Sequence, residues 1–261
     1  MPTEILAGRS ANVLRMGAGG PAVLGIHCSL ARSEALLPLI KTLAPSGRVT
    51  LFDMPGHGRS APWDDEGDYQ GVTAQQALEL CTNPTHIIGH SFGATVALRA
   101  AVLAPELVSR LTLIEPVFFA AAKGTQAYEQ HRRDFLPFEE AIAIGDTAKA
   151  AEVFNDMWGA LSWSHSPAAT RSALIDQIHL IPAGAPAIEE DNAELLTSGA
   201  LEALDLPVTL IRGDKTQPII ADIHHALVRR LPNATDLIVK GAGHMLPITH
   251  PSETATLIKS S

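Results

Sequence analysis

Short apolar runs alternate with helix-forming stretches along most of the chain. Strands, mostly of the apolar kind that is covered on both faces, are predicted at 21–27, 48–53, 84–88, 109–114, 207–212 and 234–240. Residues 10–17 predict a further strand, joined to 21–27 by a Gly-rich turn. Helices are predicted at 33–43, with Ser33 as the N-cap, and at 72–81, 94–104, 219–231 and 251–259. The alternation predicts an α/β fold with a mostly parallel central sheet flanked by helices.

The alternation stops after the strand at 109–114. From about 117 to 205 the chain has helical segments broken by Pro and Gly, without a convincing buried strand. We therefore predict a core formed by 1–116 and 204–261, and a helical insertion at 117–203.

A Gly-x-Ser-x-Gly sequence, Gly89-His90-Ser91-Phe92-Gly93, joins the strand at 84–88 to the helix at 94–104 with almost no loop between them. The short connection forces a sharp turn with Ser91 at its apex in a strained backbone conformation. A Cβ at Gly89 or Gly93 would collide with the neighbouring strand or helix. The helix below the serine offers free N–H groups and the positive end of its dipole. This turn is a nucleophile elbow, and the chain resembles the alpha/beta hydrolase family.

The resemblance covers essentially the whole chain. It implies the alpha/beta hydrolase fold, with the insertion as a cap over the carboxyl ends of the strands, and hydrolysis through an acyl-enzyme on Ser91. Family members carry their triad in the order Ser, then Asp or Glu, then His. His244, in Gly-Ala-Gly-His after the last predicted strand, stands where the family has its base. Its expected role is to take the serine proton and later return it to the leaving group.

The acid of the triad departs from the common family pattern. The usual position, three residues beyond Gly213, is occupied here by Thr216, which cannot carry charge. Two carboxylates remain as candidates. Asp214 follows Gly213, whereas Glu115 ends the apolar strand after the elbow helix, as in some dehalogenase-like branches of the family. A charge beside an apolar strand costs desolvation unless a partner holds it, which favours Glu115 over Asp214.

The oxyanion hole requires two backbone N–H groups directed at the developing negative oxygen. The residue after the nucleophile, Phe92, is expected to supply one of them. The family carries the other in a His-Gly-x loop, which here is His27-Cys28-Ser29-Leu30. By position Ser29 is the expected second donor, and Leu30 is the alternative.

Aromatic residues are concentrated in the insertion. Met157, Trp158 and Trp163 are the predicted substrate-binding residues, and we expect one of them to line the acyl or alcohol pocket. An apolar cap that excludes water favours a small hydrophobic ester. The same triad also supports lactone, thioester and carbon–carbon hydrolysis, perhydrolysis and acyl transfer. The alternative from another class is a non-catalytic ligand-binding protein on this fold.

Composition narrows the possible partners. The 261 residues, 46% hydrophobic and 18% charged, indicate one globular protein with a sizeable core. A net charge of −9 argues against nucleic acid and anionic membrane surfaces. No apolar run is long enough to span a bilayer, and the N-terminal sequence lacks the pattern of a signal peptide. Cys28 and Cys81 indicate neither a disulfide framework nor a zinc site. We expect a cytoplasmic monomer or homodimer with no metal or other cofactor.

Overall fold

The computed structural model describes residues 3–43 and 47–261. Eight strands form one sheet, in the order β1-β2-β4-β3-β5-β6-β7-β8. β2 is antiparallel to β1 and β4, and the pairs from β4 to β8 are parallel. The strands are β1 (Thr3–Leu6), β2 (Arg9–Met16), β3 (Gly19–Ile26), β4 (Gly47–Phe52), β5 (Thr85–His90), β6 (Val108–Ile114), β7 (Val208–Gly213) and β8 (Ala234–Val239).

Helices cover both faces of the sheet. Between β6 and β7 the described chain is helical, as predicted for the insertion. The helices are α1 (Leu37–Leu43), α2 (Tyr69–Glu79), α3 (Phe92–Leu103), α4 (Gln126–Ala143), α5 (Thr147–Trp158), α6 (Ala168–Gln177), α7 (Leu180–Ile188), α8 (Pro218–Val228), α9 (Leu246–Thr249) and α10 (Pro251–Ser260).

Consecutive strand residues supply the cores on opposite faces of the sheet. In β5, Ile87 belongs to the apolar cluster that includes α2, α3 and α8, whereas Ile88 belongs to the cluster with α1 and α10. Leu210 and Ile211 of β7 divide in the same way. Side chains alternate across a strand, so a continuous apolar run is what a sheet covered on both faces requires.

Three details of the predicted elements are corrected. β2 and β3 do not form a hairpin, because β4 lies between them and pairs with both. The helix predicted at 33–43 begins with a 3-10 turn at Ser33–Leu36, and Ser33 is not its cap: Arg32 stands at that position without a side-chain bond. β1 and α9 were not predicted, since both are only four residues long.

A buried histidine and a partly buried glutamate lie close together inside the insertion. Nε2 of His131 on α4 and Oε1 of Glu189, just after α7, are 4.0 Å apart. The ring of His131 stacks on Phe119 and Phe135. Burial raises the pKa of Glu189 to about 7 and lowers the pKa of His131 to about 4. Burial therefore favours the neutral form of both side chains.

We expect Glu189→Gln to stabilise the protein progressively as the pH rises. Between its ordinary pKa of 4.5 and the folded value of about 7, the folded carboxyl keeps a proton that the unfolded chain releases. The free energy of unfolding of the wild type therefore falls across this window, and the variant lacks that loss. The advantage of the variant should grow by about 2 kcal/mol between pH 5 and pH 8, measured by urea unfolding. Glu190→Gln, at an exposed neighbour, is the control, and a pH-independent difference for Glu189→Gln contradicts the prediction.

Candidate active site

Ser91 lies at the apex of the turn between β5 and α3. Its φ of 57° and ψ of −119° place a non-glycine residue in a rarely populated backbone region. The flanking glycines are required by close backbone approach. A Cβ on Gly89 would lie 2.2 Å from the carbonyl oxygen of Gly93, and one on Gly93 would lie 2.3 Å from that of His27. The predicted elbow geometry is therefore present.

The His244 imidazole joins Ser91 to Glu115. The Ser91 hydroxyl donates to Nε2 of His244 over 2.9 Å, and Nδ1–H of His244 donates to Oε2 of Glu115 over 3.0 Å. All three residues are buried. His244 lies in the loop between β8 and α9, and Glu115 follows β6 directly. The structure thus brings together three side chains that are far apart in the sequence.

Glu115 has a hydrogen-bond donor for each carboxylate oxygen. Oε1 accepts from the backbone N–H of Gly213 over 2.7 Å, and Oε2 accepts from the Thr216 hydroxyl over 2.5 Å in addition to His244. Burial alone would raise the pKa of Glu115, but its three donors favour the ionised form and hold the pKa below the ordinary value. The carboxylate is therefore charged, oriented and available to an imidazolium.

Asp214, the alternative acid, is engaged elsewhere. Its Oδ1 accepts from the backbone N–H of Gly241 over 2.6 Å, at an exposed position. Thr216 was excluded as an acid, but its hydroxyl supports Glu115. Sequence reasoning missed this role, and the only available signal was that Thr216 occupies the usual family position of the acid.

The loop after β3 contains the predicted oxyanion donors. Leu30 has a φ of 57°, and its backbone N–H donates to Nε2 of His57 over 2.9 Å. Because this N–H is already used, the prediction of Leu30 as the alternative oxyanion donor is corrected. Within residues 3–43 and 47–261, the Ser29 N–H donates to no protein group. Phe92 is the first residue of α3, where a backbone N–H has no acceptor inside the helix.

A cavity of about 270 Å³ opens beside Ser91 and His244. Its remaining wall comes from the loop after β3, from the insertion and from Met245 next to His244. The Trp158 ring packs against the His244 ring, with ring centroids 4.7 Å apart and an angle of 60° between the ring planes. Among the described residues that line the cavity, only His244 and the Cys28 thiol have an ionisable side chain, and burial raises the pKa of that thiol to about 12.

Of the three predicted substrate-binding residues, only Trp158 lines this cavity. Met157 is corrected: it lines a separate depression with His131 and Gln217. Consecutive helix residues point about 100° apart, so Met157 and Trp158 face different sides of α5. Trp163 is corrected too, because its ring packs under the Arg171 guanidinium and against the apolar cluster inside the insertion.

Three neighbouring residues brace the site. Asp53 accepts from the backbone N–H groups of Ser33 and Arg59, over 2.8 and 3.0 Å. The Nδ1–H of His27 donates to the carbonyl oxygen of Cys28 over 2.7 Å. The Nε2–H of His90 donates to the main-chain oxygen of His244 over 2.9 Å.

Comparison with known proteins identifies the family of the chain. A family model described as the alpha/beta hydrolase family matches residues 23–257. Lipase LipV of Mycobacterium tuberculosis is 30% identical, over 95% of this chain and 96% of its own. The pimeloyl-[acyl-carrier protein] methyl ester esterase of Methylococcus capsulatus is also 30% identical, over 92% and 93%. An enol-lactonase structure from Burkholderia xenovorans LB400 superposes with a TM-score of 0.78 at 17% identity, over 99% of this chain and 98% of that one, which supports the fold alone.

The chain belongs to the alpha/beta hydrolase family. The predicted family and fold class are confirmed, and so is the enzyme class of carboxylic ester hydrolase. Across the described part of the chain, every helix is too short or too polar to cross a lipid bilayer.

Proposed function

We propose that the chain hydrolyses small, neutral, hydrophobic carboxylic esters through an acyl-enzyme on Ser91. The observation that carries the proposal is the unbroken hydrogen-bond chain from Ser91 through His244 to Glu115, with distances of 2.9 and 3.0 Å. It supplies a nucleophile, a base within reach of its proton, and a carboxylate that orients the base.

In the first half of the reaction, Oγ of Ser91 attacks the ester carbonyl carbon while Nε2 of His244 takes the hydroxyl proton. Ionised Glu115 stabilises the imidazolium and fixes its orientation. The carbonyl oxygen becomes an oxyanion, for which the N–H groups of Ser29 and Phe92 are the proposed donors. Collapse of the tetrahedral intermediate breaks the carbon–oxygen bond to the alcohol, which leaves with the proton from His244.

The second half reverses the roles. His244 removes a proton from a water molecule, and the resulting hydroxide attacks the acyl carbon. The new tetrahedral intermediate releases the carboxylic acid and returns the proton to Ser91. The apolar cavity limits access of bulk water to the acyl-enzyme.

The cavity supports a small and uncharged substrate. At about 270 Å³ it is smaller than most pockets that enclose drug-sized ligands. The lining residues that the structure describes include no Lys or Arg to pair with a substrate carboxylate. A charged group that entered the cavity would lose hydration without gaining a partner.

Charge on the proposed cap, residues 117–203, also disfavours anionic substrates. This segment has 13 Asp and Glu against five Lys and Arg, a formal charge of −8 out of −9 for the whole chain. Such a field repels anions and slows their association. Although one relative is named for a carrier-protein-linked methyl ester, these charges do not favour an acidic carrier or a phosphate-bearing arm. We therefore propose a free ester as the substrate.

The proposal is tested with two nitrophenyl esters of similar acyl length: a neutral butanoate and an anionic hemisuccinate. We expect kcat/KM, divided by the alkaline hydrolysis rate of each ester, to be at least about 100-fold higher for the butanoate, since charge burial without a partner costs a few kcal/mol. Equal or preferential hydrolysis of the hemisuccinate would refute the substrate class. Failure of both esters would count against ester hydrolysis.

A matched pair of variants separates the cavity from the wider field. Thr170 lines the cavity, whereas Thr147 is exposed at the start of α5 outside it. Thr170→Arg should raise kcat/KM for the hemisuccinate about tenfold by pairing with its carboxylate. Thr147→Arg adds the same charge to the cap. It should change kcat/KM for the hemisuccinate by less than about threefold, and added salt should remove this effect.

A further inference from the structure

A buried histidine lies behind the proposed oxyanion site and does not touch the triad. His57 follows β4, in the turn that also contains Pro55, and is 1% exposed. Its Nε2 accepts the backbone N–H of Leu30 over 2.9 Å, and its Nδ1 lies 3.0 Å from the carbonyl oxygen of Pro55. Each ring nitrogen therefore faces a backbone group.

These contacts determine the form of the imidazole. A carbonyl oxygen can only accept, so Nδ1 carries the proton and donates it to Pro55. A backbone N–H can only donate, so Nε2 must be unprotonated. Burial, aided by the neighbouring His27, lowers the pKa of His57 to about 3, which agrees with a neutral ring. His57 is thus an acceptor suited to one backbone N–H.

Tyr69 connects the turn that contains Pro55 and His57 to Phe92, the other proposed donor. Its hydroxyl donates to the carbonyl oxygen of Pro55 over 2.9 Å, beside Nδ1 of His57. Its ring stacks on Phe92, with ring centroids 5.5 Å apart and an angle of 24°. His57 and Tyr69 therefore support both proposed oxyanion donors: His57 binds Leu30, the neighbour of Ser29, and Tyr69 packs on Phe92.

We propose that His57 is a positioning residue for the oxyanion site, because it binds the Leu30 N–H and leaves the Ser29 N–H to face the substrate. The inference rests on the proposed function. Leu30 has a φ of 57°, which a leucine adopts only under constraint. The bond to His57 holds this conformation and removes the Leu30 N–H from competition for the oxyanion. Loss of the bond would let the loop relax and would displace Ser29.

The test compares two replacements of His57 in the 261-residue enzyme. His57→Phe keeps a planar ring but has no acceptor for the Leu30 N–H. His57→Gln offers its amide oxygen near the former position of Nε2. We expect His57→Phe to lower kcat for the neutral butanoate ester about 10- to 100-fold with KM changed less than about threefold, because oxyanion contacts act mainly on the transition state. His57→Gln should regain most of that loss.

A control and a second measurement complete the test. His86 is also hydrogen-bonded inside the protein, to Thr112 at 2.8 Å, but lies in β5 away from the site. His86→Phe should leave kcat within about threefold of the wild type.

Should His57→Phe fail to fold, nitrogen NMR of the wild type provides the test. A neutral His57 with Nδ1 protonated between pH 5 and 8 supports the proposal. The other tautomer, or a titration near pH 6.5, overturns it.

Three results would contradict either the role of His57 or the proposed function. Unchanged kcat in a folded His57→Phe overturns the inference, and so does an equal loss in both His57 variants, which would indicate only a structural role. Retained turnover in Ser91→Ala would instead show that the proposed function is wrong, since that result does not depend on His57.

Discussion

Ser91→Ala is expected to lower kcat for the neutral butanoate ester about 10⁵- to 10⁶-fold, because removal of a triad nucleophile removes the acyl-enzyme route altogether. The residual rate should come from binding and the oxyanion site alone. KM should change little, since the hydroxyl contributes little to the cavity surface. The variant should fold normally, although alanine must adopt the same strained φ of 57° at the elbow.

A fluorophosphonate probe gives an independent measurement of the same prediction. The wild type should be labelled rapidly on the tryptic peptide that contains Ser91, and Ser91→Ala should not be labelled. Ser164, an exposed serine in the insertion, provides the matched control, and Ser164→Ala should be labelled at the wild-type rate. Absence of labelling in folded wild type would favour a ligand-binding protein instead of an enzyme.

The fold could be predicted because its strongest signals are local. Long apolar runs marked the central strands, and the two glycines around Ser91 marked a turn that only glycine can accommodate. The order of the strands in the sheet was harder to predict from the sequence. The Gly-rich connection between β2 and β3 resembles a hairpin, but β4, which comes later in the sequence, inserts between them. Such an insertion depends on long-range pairing that no local pattern encodes.

The candidate site was predictable where a residue conflicted with its surroundings. Glu115 was favoured because a charge at the end of an apolar strand needs a partner, and the structure supplies three donors. Thr216 and His57 gave no such conflict, since a threonine and a histidine in a turn are ordinary. Their contacts depend on residues 101 and 27 positions away along the chain, so only the folded geometry identifies them.

Glu115→Gln is expected to lower kcat about 10⁴-fold, the second largest effect among these variants. The amide is nearly the same size, but it can present its NH₂ group to His244 and stabilise the wrong tautomer, with the proton on Nε2. That tautomer cannot accept the proton of Ser91. An uncharged amide also gives no stabilisation to the imidazolium formed during acylation. Asp214→Asn should stay within about threefold of the wild type, because Asp214 bonds to Gly241 and not to His244.

The pH dependence of Glu115→Gln distinguishes this explanation from misfolding. If the amide acts through the tautomer of His244, hydroxide can replace the missing base, and kcat should rise with pH well above neutrality while the wild type reaches a plateau. Circular dichroism and fluorophosphonate labelling at high pH would show that the elbow is intact. A full loss in Asp214→Asn together with an active Glu115→Gln would reverse the assignment of the acid. Full activity in both variants would refute the triad, because an imidazole without a carboxylate partner would then be a sufficient base.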